Sequence, residues 1–192
     1  MNSDVVRQSK FLSKYLRHEP EALGLKLETG GWVRVDDLLK ACANNRFPMS
    51  REELEIVVAT NNKKRFAFND AGDKIRASQG HSTDVDLQLK PVIPPSVLYH
   101  GTSTKHLGVI MRDGLKKMSR HHVHLSVETS TASNVGARHG KPVVFRVDAE
   151  AMHKDGYVFY VSDNGVWLTD NVPAKYLDRI FQADVSRAWK ID

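Results

Sequence analysis

Val97-Leu98-Tyr99-His100-Gly101-Thr102 is the stretch of sequence around which the second half of the chain is organised. Its apolar beginning followed by His-Gly-Thr predicts a strand that ends in a polar turn. Glycine lets the backbone approach a ligand closely, and His100 and Thr102 offer hydrogen bonds beside Gly101. The stretch therefore predicts a site for a small polar ligand.

The next two segments continue the same pattern of short elements. Lys105 to Arg112 has apolar residues at helical spacing and is followed by Gly114, which predicts a short helix with a glycine cap. Val123-His124-Leu125-Ser126 alternates apolar and polar residues and predicts a strand with Ser126 at its end. Strand, polar turn, helix and strand are thus expected within one compact region.

The remainder of the second half is dominated by strand-like runs. Ser130 to Arg138 predicts a short helix, whereas the apolar runs that follow it predict strands at 142–147, 157–161, 165–168 and 176–181. Such a pattern allows several folds, including split sheets around a ligand cleft.

The first half begins with three predicted helices and ends with a basic hairpin. The first helix runs from Ser3 to His18, a short strand at Trp32 to Val35 leads into a second helix with Asp36 as its cap, and Ser50-Arg51-Glu52-Glu53 fits a capping box for the third. The hairpin pairs Lys63 to Phe68 with Lys74 to Arg76. This order is typical of a winged helix, and binding to nucleic acid and binding to protein are both open on topology alone.

A connector is predicted at Ser78 to Ser96, which contains Gly80, Pro91, Pro94 and Pro95. The domain boundary is therefore placed near residue 90, giving domains 1–90 and 91–192.

The composition limits the compartment and the partners. The net charge of +5 suits a polyanionic partner, although both halves carry only a small excess of positive charge. The chain has no long apolar run and no cleavable leader, so neither a membrane span nor secretion is expected and the location is predicted to be cytoplasmic. Cys42 lies in an apolar pattern and is predicted to be a buried core residue.

A metal site is a competing interpretation of the histidine-rich segment. Histidines two apart on a strand point the same way, which gives His122 and His124 a common direction. No nearby carboxylate or cysteine completes a ligand set, so no metal is predicted.

Four cationic residues stand out from three separate segments: Arg17, His18, Arg65 and Arg120. Arginine forks pair with phosphate oxygens in two places at once, so convergence of these groups would bind a phosphate dianion. Scattered surface arginines are the alternative that the residues themselves leave open.

A family resemblance links these segments. The chain resembles the RNA 2'-phosphotransferases over nearly its whole length, at motifs that follow in order: 9–18 with Pro20, Gly31-Trp32, Lys63-Lys64-Arg65-Phe66, Gln79-Gly80-His81-Ser82, Tyr99-His100-Gly101-Thr102, Val123-His124-Leu125-Ser126, Gly136-Ala137-Arg138-His139-Gly140 and Asn164-Gly165-Val166-Trp167-Leu168.

The resemblance implies an α+β fold with an N-terminal winged-helix lobe for RNA and a C-terminal, ADP-ribosyltransferase-like split β-sheet lobe for NAD. It implies that an internal RNA 2'-phosphate is transferred to ADP-ribose through an RNA-2'-phospho-ADP-ribose intermediate, with release of nicotinamide. The expected products are RNA with a 2'-hydroxyl and ADP-ribose 1'',2''-cyclic phosphate. A tRNA-like substrate from splicing and a monomeric enzyme are also expected.

The same resemblance assigns residues to roles. The catalytic residues that it implies are Arg17, His18, Arg65 and Arg120. The residues that it implies for NAD are His100, Gly101, Thr102, His124, Ser126, Gly136 and His139. For Gly136 and His139, helix capping and packing are the alternative explanation.

Two other functions stay open at the level of the sequence. An ADP-ribosyltransferase could modify nucleic-acid ends or proteins, although the glutamate that usually activates a protein acceptor has no clear counterpart after Tyr157. A non-catalytic nucleic-acid-binding module is favoured only if NAD does not bind.

Overall fold

The computed structural model describes residues 3–61 and 63–180. The chain forms two compact units that divide between Leu89 and Lys90, and Ser162–Asn164 belongs to the first unit. Both units combine helices with small antiparallel sheets, which confirms the α+β class.

The first unit contains three helices and three strands in the order α1, β1, α2, α3, β2, β3. Their bounds are α1 Ser3–Arg17, β1 Trp32–Arg34, α2 Val35–Asn44, α3 Arg51–Ala59, β2 Phe66–Phe68 and β3 Lys74–Ala77, with a 3-10 turn at Pro20–Leu23. The strands form an antiparallel sheet in the order β1-β3-β2. The predicted hairpin is thus confirmed, and Phe68 lies opposite Ile75 in its register.

Apolar periodicity explains how α1 packs in this unit. Leu12 and Leu16 are fully buried, one turn apart, and they join the core that contains Phe66 of β2 and Ile75 of β3. Cys42 is buried in the same core, as predicted.

The ends of the next two helices differ in how well the sequence predicted them. The capping box of α3 is confirmed, because Ser50 and Glu53 each accept the backbone N–H of the other. The prediction that Asp36 caps α2 is wrong. The helix begins two residues earlier, at Val35, with Arg34 at the cap position, and Asp36 lies in the first turn. The Val35 N–H donates to the Asp73 carbonyl.

The connector predicted at Ser78 to Ser96 begins too early. Ser78, His81 and Leu87 are buried, and the Asp86 carbonyl accepts the N–H of Gly30 at 2.7 Å. A side chain at Gly31 would meet Leu87 and His81, so the absence of a Cβ there makes room for this segment. The polar residues that indicated a loop belong to a segment, residues 78–87, that packs against the rest of the first unit.

The second unit is built from short elements whose bounds are β4 Val97–Ser103, α4 Leu107–Asp113, β5 Leu115–Lys116, β6 Val123–Leu125, α5 Thr129–Gly136, β7 Pro142–Asp148, α6 Ala149–Lys154, β8 Phe159–Val161, β9 Trp167–Thr169, β10 Asn171–Val172 and β11 Leu177–Ile180. The 3-10 turns lie at Thr104–His106, Ala137–His139 and Ala174–Tyr176. The strand predicted at 176–181 is observed as β11, and Phe181 lies outside the described residues. The sequence did not predict α6, which Asp148 caps by accepting the Ala151 N–H.

Two three-stranded antiparallel sheets dominate this unit, in the orders β11-β7-β4 and β6-β9-β8. Tyr99 of β4 and Ser126, which follows β6, each donate their N–H to the other's carbonyl at 2.8 Å. This reciprocal pair joins the edge of one sheet to the edge of the other.

The predicted turn at His100-Gly101-Thr102 is wrong, because β4 continues without interruption to Ser103. Its register against β7 pairs His100 with Phe145, Gly101 with Val144 and Ser103 with Pro142. The polar residues indicated a turn, but they occupy alternate faces of a strand at the sheet edge.

The glycines of this region serve the packing of α5 on β4. A Cβ at Gly101 would overlap the main-chain carbonyl of Ala132 in α5, and a Cβ at Gly136 would lie 2.5 Å from the Thr102 carbonyl oxygen. Real Cβ atoms do not come so close, so helix and strand approach each other through two glycines.

In the described part of the chain, no helix has the length and apolar character needed to cross a membrane.

Candidate active site

Arg17 and Arg65 are brought together in the first unit. Arg17 is the last residue of α1, Arg65 immediately precedes β2, and Arg17 Nη2 donates to the Arg65 carbonyl at 3.4 Å. Both residues are partly buried. The contact links the end of the helix to the start of the hairpin, so the two predicted catalytic arginines belong to one local arrangement.

His18 follows Arg17 and contacts a residue that the sequence did not assign to the site. Its Nδ1 lies 2.8 Å from Ser82 Oγ, and the Arg17 carbonyl accepts the Ser82 N–H at 2.9 Å. Ser82 therefore fixes both the backbone and the ring at this corner. The signal was its place in Gln79-Gly80-His81-Ser82, which the connector prediction obscured.

In the second unit, His100 is fixed by the backbone of His124. His100 Nδ1 lies 3.0 Å from the His124 carbonyl oxygen, which can only accept. Nδ1 therefore carries the proton, and Nε2 of the neutral ring is left as a hydrogen-bond acceptor. The Tyr99–Ser126 pair next to it aligns the two strands that carry these histidines.

The surroundings favour the neutral form of His100. Burial lowers the pKa of its ring below the usual 6.5, the nearby charge of Arg120 adds to the decrease, and the bond to the His124 carbonyl opposes it. At neutral pH the ring therefore presents an uncharged acceptor at Nε2.

Arg120 is held by the side chain of the same histidine. Its Nη1 lies 3.2 Å from His124 Nδ1, and because a guanidinium only donates, this nitrogen is the acceptor. His124 thus contacts Arg120 with its ring and His100 with its backbone carbonyl. The structure assigns it an orienting contact that the sequence analysis did not anticipate.

The backbone of Gly101 faces the same edge as the Tyr99–Ser126 pair. In an antiparallel strand the N–H and C=O groups of alternate residues point to the same side. Those of Tyr99 point away from β7 toward Ser126, so those of Gly101 also point away from β7. They provide one donor and one acceptor at the sheet edge, two residues beyond Tyr99.

The other residues predicted for NAD have simpler surroundings. Thr102 is a partly buried residue of β4, and Ser126 holds the strand pair described above. Gly136 is explained by its packing against Thr102, and His139 is exposed in the 3-10 turn after α5. The structure therefore explains Gly136 by packing and leaves its contact with a ligand as a prediction.

Within residues 3–61 and 63–180, no three side chains of the metal-binding types form a group. The histidine segment instead makes ring contacts: the His122 ring lies 5.4 Å from that of Tyr160 and 6.3 Å from that of His121. Burial lowers the pKa of His122 as well.

Comparison with known proteins identifies the family to which this chain belongs. The model of the family described as "RNA 2'-phosphotransferase, Tpt1 / KptA family" matches residues 3–171. A protein of Nostoc punctiforme named "Probable RNA 2'-phosphotransferase" is 62% identical over 179 residues, which cover 93% of this chain and 99% of that protein. The chain belongs to the RNA 2'-phosphotransferase, Tpt1 / KptA family.

Proteins with the same name and lower identity to this chain occur in other bacteria. The Streptomyces coelicolor protein is 57% identical over 90% of this chain and 93% of its own length. The Flavobacterium johnsoniae protein is 50% identical over 93% of this chain and 98% of its own length. The similarity thus extends through both units.

Proposed function

We propose that this protein is an NAD-dependent RNA 2'-phosphotransferase that removes an internal 2'-phosphate from RNA by transferring it to ADP-ribose. The observation that carries the proposal is the contact between Arg17 and the Arg65 carbonyl, in a chain of the RNA 2'-phosphotransferase family. A tRNA-like RNA is the proposed substrate.

The proposed catalytic residues are Arg17, His18, Arg65 and Arg120. Guanidinium groups bind phosphate through paired, charge-assisted hydrogen bonds, and they stabilise the charge that develops on phosphate oxygens during transfer. His18, oriented by Ser82, can contact the phosphate or move a proton.

The proposed NAD residues are His100, Gly101, Thr102, His124, Ser126, Gly136 and His139. Two observations support a nicotinamide riboside at β4. The Nε2 of neutral His100 can accept a hydrogen bond from a ribose hydroxyl, and the outward N–H and C=O of Gly101 match the acceptor and donor of a carboxamide. NAD supplies the electrophilic ribose carbon and a good leaving group.

The proposed reaction has two steps, and each forms one bond between heavy atoms and breaks another. An oxygen of the RNA 2'-phosphate attacks the anomeric carbon of the nicotinamide ribose, and nicotinamide departs with the electron pair of its bond. In the RNA-2'-phospho-ADP-ribose intermediate, the neighbouring ribose hydroxyl then attacks phosphorus and loses its proton, while the RNA 2'-oxygen departs and gains one. The products are 2'-hydroxyl RNA and ADP-ribose 1'',2''-cyclic phosphate.

We also propose that the first unit is a winged-helix lobe that binds RNA and the second an ADP-ribosyltransferase-like lobe that binds NAD. The order α1, β1, α2, α3, β2, β3 and the basic residues before β2 support the first assignment. The two small sheets joined at Tyr99 and Ser126 support the second.

The direct test incubates the purified protein with an RNA that carries one internal 2'-phosphate. We expect the phosphate to be removed only when NAD is added, and EDTA to leave the rate unchanged. Matched RNAs with a 2'-hydroxyl or a terminal phosphate separate this activity from ADP-ribosylation of RNA ends. Phosphate removal without NAD, or loss in EDTA with recovery in zinc, would contradict the proposal.

A pH series tests the assigned state of His100. Affinity for NAD is expected to be constant around neutral pH and to weaken as the pH falls through the lowered pKa of His100, because a protonated Nε2 cannot accept a hydrogen bond. Since folding lowers this pKa, the stability contributed by the neutral ring is complete above 6.5 and decreases as the pH falls toward the folded-state value.

Calorimetric titration with NAD over this range provides the measurement. His100→Gln should bind NAD more weakly at neutral pH and lose the decrease at low pH, whereas the matched control His106→Gln in the exposed 3-10 turn should retain it. An unchanged acid decrease in His100→Gln would assign the titration to another group.

A further inference from the structure

Asn61 is a buried polar residue beside Arg65 that the proposed mechanism does not use. It follows α3 and is 8% exposed. Its Oδ1 accepts the backbone N–H of Lys63 at 3.1 Å and Nη1 of Arg65 at 3.4 Å, and its Nδ2 donates to Ser9 Oγ at 3.1 Å. The Asn61 side chain therefore connects α1, the segment that precedes β2 and the guanidinium of a predicted catalytic residue.

The orientation of the Asn61 amide follows from its partners. The N–H of Lys63 can only donate, so the side-chain atom that faces it is the oxygen. The same oxygen faces Arg65, and the amide nitrogen faces the Ser9 hydroxyl, which can accept. Every contact pairs a donor with an acceptor.

The backbone that leads into Arg65 is fixed as well. Lys64 has a φ of 42°, a left-handed conformation that is unfavourable for a residue with a Cβ. Its N–H donates to the Asn61 carbonyl at 2.8 Å and its carbonyl accepts the Ser78 hydroxyl at 2.9 Å. Ser78 also donates its N–H to the Arg65 carbonyl at 2.8 Å. The root of the Arg65 side chain is thus held by hydrogen bonds on both sides, and strained backbone of this kind occurs at functional sites.

We propose that Asn61 is a positioning residue of the transferase, which orients the Arg65 guanidinium through a neutral oxygen and so preserves its positive charge for the RNA 2'-phosphate. The inference rests on the proposed function of Arg65. A carboxylate in this place would make the same contacts but would compete with the phosphate for the guanidinium.

Asn61→Asp separates charge from geometry. Aspartate has the same shape, one oxygen can accept from Lys63 and Arg65, and the Ser9 hydroxyl can rotate to donate to the other. The hydrogen bonds are preserved and only the charge changes. Asn61→Ala instead removes the contacts and leaves Arg65 without this constraint.

The measurement is the affinity for two RNAs that differ only in the internal 2'-phosphate, at one salt concentration, for the full-length protein. The ratio of the two affinities reports the recognition of the phosphate and cancels contacts with the rest of the RNA. We expect Asn61→Asp to reduce this ratio by about tenfold and to raise KM for the phosphorylated RNA more than it lowers kcat. We expect Asn61→Ala to reduce the ratio by a smaller factor and to lower the melting temperature.

Two further variants make the outcome decisive. Asn45→Ala removes the hydrogen bond that the Asn45 side-chain amide donates to the Ala41 carbonyl at the end of α2. This variant should lower stability without changing the ratio of the two RNA affinities. Arg65→Ala should reduce the ratio at least as much as Asn61→Asp.

The results distinguish this inference from the proposed function on which it rests. A wild-type ratio in Asn61→Asp, together with a reduced ratio in Arg65→Ala, would overturn the role of Asn61 and leave the proposed function intact. A wild-type ratio in Arg65→Ala would remove Arg65 from phosphate recognition, and the role of Asn61 with it.

Discussion

Arg65→Ala is expected to slow removal of the RNA 2'-phosphate by about thirtyfold to a thousandfold. Loss of a charge-assisted contact to phosphate costs about 2 to 4 kcal/mol in the transition state, which corresponds to this range of rates. Arg17 donates to the main-chain carbonyl of Arg65, which alanine retains. Loss of the Arg65 side chain should therefore affect chemistry more than folding. Single-turnover rates at saturating NAD and RNA give the value directly.

A matched control for this substitution is Arg34→Ala in the same unit. Arg34 is an exposed arginine whose ion pairs are long, at 3.8 Å to Asp36 and 4.0 Å to Asp37, and pairs of this kind contribute little. Its removal should leave the rate unchanged. Arg65→Lys should fall between the two, because it keeps a charge and loses the planar fork. Wild-type rates in Arg65→Ala would exclude the segment that precedes β2 from the active site.

Gly101→Ala is expected to be the most destabilising single-methyl change in the second unit. The new Cβ would overlap the Ala132 carbonyl, so α5 must move away from β4. We expect the free energy of unfolding to decrease by about 3 kcal/mol or more and the melting temperature to fall by about 10 °C. Thermal unfolding followed by circular dichroism measures both values.

Gly108→Ala provides the comparison. Gly108 lies in α4, and a Cβ there would meet nothing within 4 Å. Alanine is the better helix former by about 1 kcal/mol, so this variant should be as stable as the wild type or more stable. Equal melting temperatures for Gly101→Ala and the wild type would show that the close approach of α5 and β4 can relax without cost.

The sequence predicted those features that depend on local periodicity. Apolar spacing located α1, alternation located the hairpin at Phe66 and Ile75, and the Ser50 box located the start of α3. These signals are local because helix and strand faces repeat over a few residues. The same reasoning failed at His100-Gly101-Thr102, where polar letters indicated a turn and the strand continues because β7 supplies partners along its whole length.

Features of the site that depend on contacts distant in sequence were not predicted. Ser82 meets His18 across 64 positions, and Asn61 meets Ser9 across 52. Composition favours loops for such segments, and only the folded backbone brings them to the arginines. The assignment of catalytic and NAD-binding residues came from the family resemblance and remains a prediction to be tested by the variants above.

The two glycines between α5 and β4 also limit how this protein can vary during evolution. Where side chains touch, a larger residue on one side can be compensated by a smaller one opposite. At Gly101 and Gly136 the opposing atoms are main-chain atoms, which every amino acid carries. No second-site suppressor on the facing element can therefore restore a bulky substitution at either position. The position of the strand that carries His100 therefore depends on a contact that a substitution can disrupt and that no compensating substitution on the facing element can restore.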